Sequence, residues 1–262
     1  MKNKQLLESF YSNYDEEGRL LSRHGSVEFL TTMRYISKYL QPGMKILEIG
    51  AGTGRYSHTL ARMGYTVDAV ELVQHNIDIF RQNTQDTEQI TIRQGDAREL
   101  PFKDETYDIT LLLGPMYHLF TKEDQATALA EAIRVTKTGG VIFAAYCGNE
   151  ATMIQFCFGR GMIKQEHYRN LIDPVTFKAS SDPAELFQLY RKEEIDALMA
   201  DFTTTRLHYV ASDLATNYMR TEIDAMDDDI FDLYLRYHFS ICERSDLVGA
   251  SHHLLDIFRK DG

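Results

Sequence analysis

Short apolar runs alternate with helical periodicity along the first 146 residues. Residues 44–49 (MKILEI), 66–71 (TVDAVE), 89–94 (QITIRQ), 107–113 (YDITLLL) and 141–146 (VIFAAY) are rich in Ile, Val, Leu or aromatic side chains. Turn-forming or charged segments bound each run, which predicts five strands. Between them the spacing predicts helices at 55–63, 74–85 and 123–135. In the last, Ala126, Leu129, Ala130 and Ile133 recur at helical spacing, and Gly139-Gly140 follow as a stop. Another helix, at 26–40, precedes the first strand and stops at Gln41-Pro42-Gly43. Strands alternating with helices imply parallel pairing through right-handed crossovers, hence an α/β fold with helices on both faces of the sheet.

Beyond residue 146 the pattern is less regular. Residues 151–170 and 184–201 read as helices, joined by an irregular segment holding Asp173-Pro174 and Asp182-Pro183. Residues 204–211 read as a strand, 227–242 as an amphipathic helix and 252–258 as a last strand. There is no internal repeat and no flexible linker.

Charge and composition narrow the function. The 262 residues carry 39 acidic and 28 basic side chains, a net charge of -11. That excess disfavours a nucleic-acid binder, whose affinity comes mainly from Lys and Arg on phosphates, and a polybasic membrane-surface protein. Residues 1–146 are nearly neutral at -3, whereas 147–262 hold the remaining -8. This distribution favours a neutral or cationic small molecule as ligand of the second part of the chain. Cys147, Cys157 and Cys242 are odd in number and lack CxxC spacing, so they give neither a disulfide framework nor a zinc site, and no metal is expected. MKNKQLLESFYSNYD lacks the apolar core of a signal peptide, and no apolar run approaches the ~18 residues of a membrane span. The expected location is the cytoplasm.

The most informative stretch is Lys45-Ile46-Leu47-Glu48-Ile49-Gly50-Ala51-Gly52-Thr53-Gly54-Arg55-Tyr56. A buried strand runs into glycines at 50, 52 and 54, and a helix begins just after. Such a turn lets a ligand approach the backbone, and the helix amino terminus suits an anionic group. A NAD-type GxGxxG would need glycine at position 55, where Arg55 stands. Glu48, two residues before the first glycine, would repel a pyrophosphate; it suits an ammonium group or structures the loop through backbone N–H bonds. The loop favours a cationic or zwitterionic ligand over a dinucleotide.

Residues 46–57, ILEIGAGTGRYS, resemble the first motif of the class I S-adenosylmethionine-dependent methyltransferases. Glu71, ahead of Leu72 at the end of the second strand, stands where that family pairs an acidic residue with ribose hydroxyls. Gly95-Asp96-Ala97 resembles its adenine-contacting motif, and the segments 107–113 and 134–140 also fit. The resemblance implies a Rossmann-like, seven-stranded, mostly parallel sheet with a helical cap insertion. Residues 204–211 and 252–258 would be its last two strands. It further implies S-adenosyl-L-methionine as cofactor, contacted by Glu48, Gly50, Ala51, Gly52, Gly54, Glu71, Leu72, Asp96 and Ala97. The backbone at Leu113 and Gly114 would reach the methionine amine. The division that follows is an N-terminal helical lid (1–43), a cofactor-binding core (44–146) and a helical cap with the last strands (147–262).

Methyl transfer asks mostly for alignment of nucleophile, methyl carbon and departing sulfur, so the family has no universal catalytic residue. Leu113-Gly114-Pro115-Met116-Tyr117-His118 corresponds to the Asn/Asp-Pro-Pro-aromatic motif of family members that methylate nucleic-acid amines. Gly114 replaces the Asn/Asp acceptor, which speaks against a DNA or RNA target. Tyr117 could stack on a substrate and His118 could act as a general base, or both could pack under the next helix. Tyr14 is a candidate for the lid over the cofactor, or part of a surface helix. The acidic run Glu222–Asp232 reads as a solvated helix start or a field for an amine. Met153, Phe156, Phe158, Met162 and Ile163 read as core or as the wall of an apolar pocket. Three rivals stand beside a small-molecule methyltransferase: an aminopropyltransferase-like enzyme, a non-catalytic cofactor-binding module and a NAD oxidoreductase.

Overall fold

A computed structural model describes residues 2–13, 18 and 22–262. Eight strands form one sheet: β1 (Lys45–Ile49), β2 (Thr66–Glu71), β3 (Ile90–Gln94), β4 (Tyr107–Leu112), β5 (Thr136–Gly148), β6 (Leu189–Tyr190), β7 (Thr204–Ala211) and β8 (His253–Lys260). Their order is β3-β2-β1-β4-β5-β8-β7, with β6 beside β5 off that path. The first five strands pair parallel, and β8 runs antiparallel between β5 and β7. The fold is the expected Rossmann-like α/β class, with one correction: among the described residues the sheet has eight strands, not seven. Pairing of β5 with β4 ends at Ala144, and β6 takes up the uncovered end at Cys147 and Gly148. Two residues are too short to show an alternating pattern, so β6 has no signature in the sequence.

A second correction concerns β5, which begins at Thr136 rather than 141. Gly139 has φ +80°, and the register with β4 shifts between Tyr107 and Ile109. The glycine pair therefore forms a bulge inside the strand instead of ending the preceding helix, which stops at Val135.

The helices are α1 (Lys2–Tyr11), α2 (Arg23–Tyr39), α3 (Arg55–Arg62), α4 (Gln74–Asn83), α5 (Lys122–Val135), α6 (Asn149–Thr152), α7 (Glu166–Asn170), α8 (Lys192–Met199), α9 (Arg220–Asp224) and α10 (Asp228–Ile241). The expected long helices at 151–170 and 184–201 are broken. From α6 the chain passes into a π-helical turn, Met153–Gly159, and Gly161 at φ +70° ends it. Residues 184–201 hold a 3₁₀ turn, Leu186 at φ +68°, β6 and only then α8.

Two core layers flank the sheet. Leu129, Ala132 and Val135 of α5 pack with Leu47, Leu112 and Ile142 on one face. Tyr35 and Ile36 of α2 and Leu60 of α3 pack with Ile46, Ile109 and Phe143 on the other. Ser22 caps α2 by accepting from the Gly25 amide. Helix α2 is thus a layer of the core, while α1 touches α4 and the 183–185 turn. The acidic run is divided: Glu222 and Asp224 lie in α9, whereas Asp227 caps α10 by accepting from the Ile230 amide, and Asp228 and Asp229 occupy its first turn, where the helix dipole favours them.

Antiparallel β8 has a consequence for the site. Its amino end lies at the sheet edge where the parallel strands end, so Ser212 and Asp213 after β7 meet His252 and His253 there.

Candidate active site

The glycine loop closes tightly on the sheet. Gly50, Gly52 and Gly54 have φ of +76°, +54° and +93°, and the Gly50 and Ala51 amides both donate to the Val70 carbonyl. A Cβ at Gly54 would stand 2.4 Å from the Phe80 ring, and one at Gly50 would stand 2.6 Å from Pro115 Cδ. Both glycines are therefore required by packing as well as by backbone conformation.

Two buried carboxylates hold this loop. Glu48 accepts from the Ser57 amide at 2.9 Å and from its hydroxyl, tying β1 to the start of α3. Burial pushes the Glu48 carboxyl up to about 8, despite the opposing Ser57 bonds. Glu71 accepts from the Gly52 amide at 2.9 Å and from the Val73 amide at 2.8 Å. Its carboxyl is also raised, because burial outweighs those bonds.

A small groove of about 60 Å³ lies under the loop, lined by Glu48, Gly50, Ala51, Gly52, Leu113 and Tyr117 among others. Six of the expected cofactor residues, Gly54, Glu71, Leu72, Asp96, Ala97 and Gly114, stand outside its walls. Glu71 joins the groove through the Gly52 amide, and Gly114 backs on Gly50. Asp96 is held by Arg98, whose guanidinium donates to both carboxylate oxygens at 3.0 and 2.6 Å. The Arg98 bond is the main reason its carboxyl lies below the ordinary value. Ala97 is buried in the core. Tyr14 lies outside the described residues.

Next to the groove is a cavity of about 480 Å³ with largely apolar walls, among them Phe156, Met162 and Phe187. Glu28, Tyr117 and His253 line both spaces. Of the sequence candidates, Tyr117 thus stands at the junction, its hydroxyl donating to the Leu113 carbonyl at 2.9 Å. His118 stands behind that wall. Its Nδ1 lies 2.8 Å from the Leu186 carbonyl and its Nε2 2.9 Å from the Tyr11 hydroxyl. A carbonyl only accepts, so Nδ1 carries the hydrogen and Nε2 accepts from Tyr11. Burial lowers this imidazole to about 4, against the Leu186 bond. Of the apolar cap candidates, Phe156 and Met162 are in the cavity wall, while Met153 is in the buried core.

Sequence reasoning missed Glu28, Asp213, His252 and His253. No motif carries them: Glu28 is on α2, and the others flank β7 and β8. The available signal was topological, since an antiparallel last strand brings its first residues to the cofactor edge. A His-His pair at its start was therefore a candidate.

A family profile described as a methyltransferase domain matches residues 46–140. That match falls on the β1–β5 part of the Rossmann-like sheet and includes the glycine loop, so this part of the chain is similar to a methyltransferase domain. The chain is 32% identical over 145 residues to a demethylmenaquinone methyltransferase of Streptomyces avermitilis, covering 55% of this chain and 57% of that protein. It is 31% identical over 127 residues to a ubiquinone biosynthesis O-methyltransferase of Methylocella silvestris, covering 48% of each. The chain thus spans about half the length of the curated relatives it matches. Among solved structures, a possible histamine N-methyltransferase of Thermotoga maritima shares the fold with TM-score 0.59 at 19% identity, covering 99% of this chain and 100% of that one. Among the described residues, no helix is long and apolar enough to cross a membrane.

Proposed function

We propose that this chain transfers a methyl group from S-adenosyl-L-methionine to a small-molecule acceptor held in the 480 Å³ cavity. One observation carries the reading: the glycine-loop groove and the cavity share the walls Glu28, Tyr117 and His253, so a ligand in each would meet there. The groove suits this cofactor chemically. Its carboxylate Glu28 favours an ammonium and a sulfonium and would repel a pyrophosphate, while Glu48, whose carboxyl burial pushes up to about 8, holds the loop through Ser57.

When bound, the cofactor supplies an electrophilic methyl group. Gly50, Ala51 and Gly52 would receive its amino-acid end through their backbone, with Leu113 and Gly114 against the amine. Glu71 and Leu72 would face the ribose, and Asp96 and Ala97 the adenine. Tyr117 forms the wall between cofactor and acceptor. We assign His118 to positioning rather than catalysis. Its bonds to Tyr11 and Leu186 join α1 to the turn before β6, helped by the Phe10–Phe187 ring contact at 6.1 Å.

The cavity walls include Glu28, Asp182, Glu185 and Asp213 against Arg220, which supports a neutral or cationic acceptor. The names of the quinone-pathway relatives agree with a small apolar molecule rather than nucleic acid. The three cysteines are buried free thiols, which supports a reducing, cytoplasmic setting. The test is incubation of the chain with methyl-labelled S-adenosylmethionine and a fractionated cell extract. The expected product is a labelled small molecule heavier by one CH₂ group. A larger adduct would point to aminopropyl transfer, and label confined to protein or nucleic acid would refute a small acceptor.

A further inference from the structure

Helix α10 turns two parallel rows of side chains outward. Its inner face is taken up by the rest of the chain. The Arg23 guanidinium lies 5.4 Å over the Phe231 ring, the Tyr234 hydroxyl is 2.6 Å from Thr216 Oγ1, and His238 Nε2 is 3.0 Å from Thr31 Oγ1. On the outer face Ile230, Leu233 and Tyr237 are 48%, 52% and 59% exposed. Positions i, i+3 and i+7 of a helix with about 3.6 residues per turn share one side, so these three make a continuous apolar row. Asp229 and Arg236, also seven residues apart and both exposed, form a second row beside it, with Asp232 on its flank.

The charges of that second row are not used within the chain. Asp228 is held by Arg23 at 2.6 Å, and Asp227 caps the helix. Asp229, Asp232 and Arg236, in contrast, have no side-chain hydrogen bond or ion pair among the described residues. The net charge of -11 opposes association of the chain with its own copies in general, so pairing needs a place where opposite charges are ordered to meet.

Such an order exists on α10. When two copies of a helix pack antiparallel about a two-fold axis perpendicular to both, like rows face like rows and run in opposite directions. The apolar row then covers the apolar row, and Asp229 stands against Arg236 of the second copy. The axis passes midway between Asp229 and Arg236, beside Leu233, which is also the middle of the apolar row. A parallel pair would instead set each apolar row against the other copy's charged row. An anionic lipid surface is the poorer occupant, since Asp227, Asp228, Asp229 and Asp232 would be repelled by it.

We propose that the outer face of α10 is the docking surface for a second copy of this chain, which packs its own α10 antiparallel against it. This surface is separate from the groove and the cavity, whose walls include none of Asp229, Ile230, Leu233, Arg236 and Tyr237. Symmetry makes each contact occur twice, with an Asp229–Arg236 meeting on either side of the Leu233 pair. One helix face covers less than the roughly 800 Å² per partner of a standard interface, so the dimer is weak, with a dissociation constant of about 10–500 µM.

Sedimentation equilibrium of the full chain from about 5 to about 500 µM tests this. Wild type should shift from monomer to dimer across that range, and Leu233→Asp should stay monomeric. Arg236→Asp and Asp229→Arg should each weaken dimerisation about 10-fold or more, because each turns two attractive meetings into repulsive ones. Mixed in equal amounts, these two variants should form a heterodimer, since every acidic site of one then meets a basic site of the other. That rescue separates lost pairing from lost folding. A wild type that stays monomeric at the highest concentration would overturn the proposal. So would a dimer untouched by Leu233→Asp, or charge variants with wild-type circular dichroism that fail to pair when mixed. Monomeric wild type that floats with phosphatidylcholine vesicles, and loses this in Leu233→Asp, would assign the face to lipid and overturn it as well.

Discussion

Glu71, at the end of β2, reaches the amide of Gly52 in the loop that follows β1, with Oε2 2.9 Å from the nitrogen. The bond ties two parallel strand ends together, and the function proposed above assigns this carboxyl to the ribose. Replacing Glu71 by Ala should remove both effects. The expected result is a loss of about 1–3 kcal/mol in S-adenosylmethionine binding by calorimetry, with a smaller loss for Glu71→Gln, which retains one acceptor oxygen. Unchanged affinity in both variants would remove Glu71 from the site.

Gly54 and Gly43 separate backbone strain from crowding. Both have φ above +80°, but a Cβ at Gly43 meets nothing within 4 Å while one at Gly54 meets Phe80 at 2.4 Å. Gly43→Ala should cost about 1 kcal/mol from the left-handed backbone alone. Gly54→Ala should cost about 1–3 kcal/mol more, as Phe80 must move. Urea unfolding of the two variants checks the difference; equal costs would mean that Phe80 yields freely.

Asp96 is paired with Arg98 on both oxygens, and Arg98 also reaches Asp124 at 2.8 Å. If Asp96 contacts the adenine, Asp96→Ala should raise the dissociation constant for S-adenosylmethionine. A parallel Asp124→Ala should leave it nearly unchanged, because Asp124 touches only the far end of Arg98. Calorimetry on both decides whether Asp96 serves the ligand or only the arginine.

Glu48 gives the stability a pH signature. Its folded-state value, about 8, lies above the 4.5 of an ordinary glutamate. The folded chain therefore holds a proton that the unfolded chain has released between those values. Its contribution is fully present below about pH 4.5 and is lost as pH rises toward 8. Glu48→Gln keeps the acceptor for Ser57 and cannot ionise. Relative to wild type, its urea midpoint should rise steadily from pH 5 to pH 8. A difference that stays constant would show that Glu48 is ionised throughout.

How much of this was legible in the sequence follows from what each feature depends on. The parallel core was, since strands such as 66–71 are buried runs whose apolar pattern is local. The glycine loop and Glu71 were as well, because both belong to one contiguous strand–helix–strand unit running from β1 to the end of β2. The cap was not. Residues 151–170 carry apolar side chains at helical spacing, yet only some, Phe156 and Met162 among them, line the cavity, Met153 is in the core and Phe158 is exposed, and a π-helical turn and Gly161 redirect the chain. The contrast between His118 and His253 is the most instructive. His118 sits in a recognisable segment but is buried with both nitrogens engaged. His253 sits in no motif, and reaches Asp213 and Glu28 only through the closure of β7 on β8 and the packing of α2. Contacts over 40 and 225 residues have no local signature.

Equilibrium dialysis with methyl-labelled S-adenosyl-L-methionine shows whether the groove under Gly50–Gly52 binds it. Saturable retention of one molecule per chain is expected, undiminished by excess NAD and weakened in Glu71→Ala. No retained label, or label displaced by NAD, would contradict that binding.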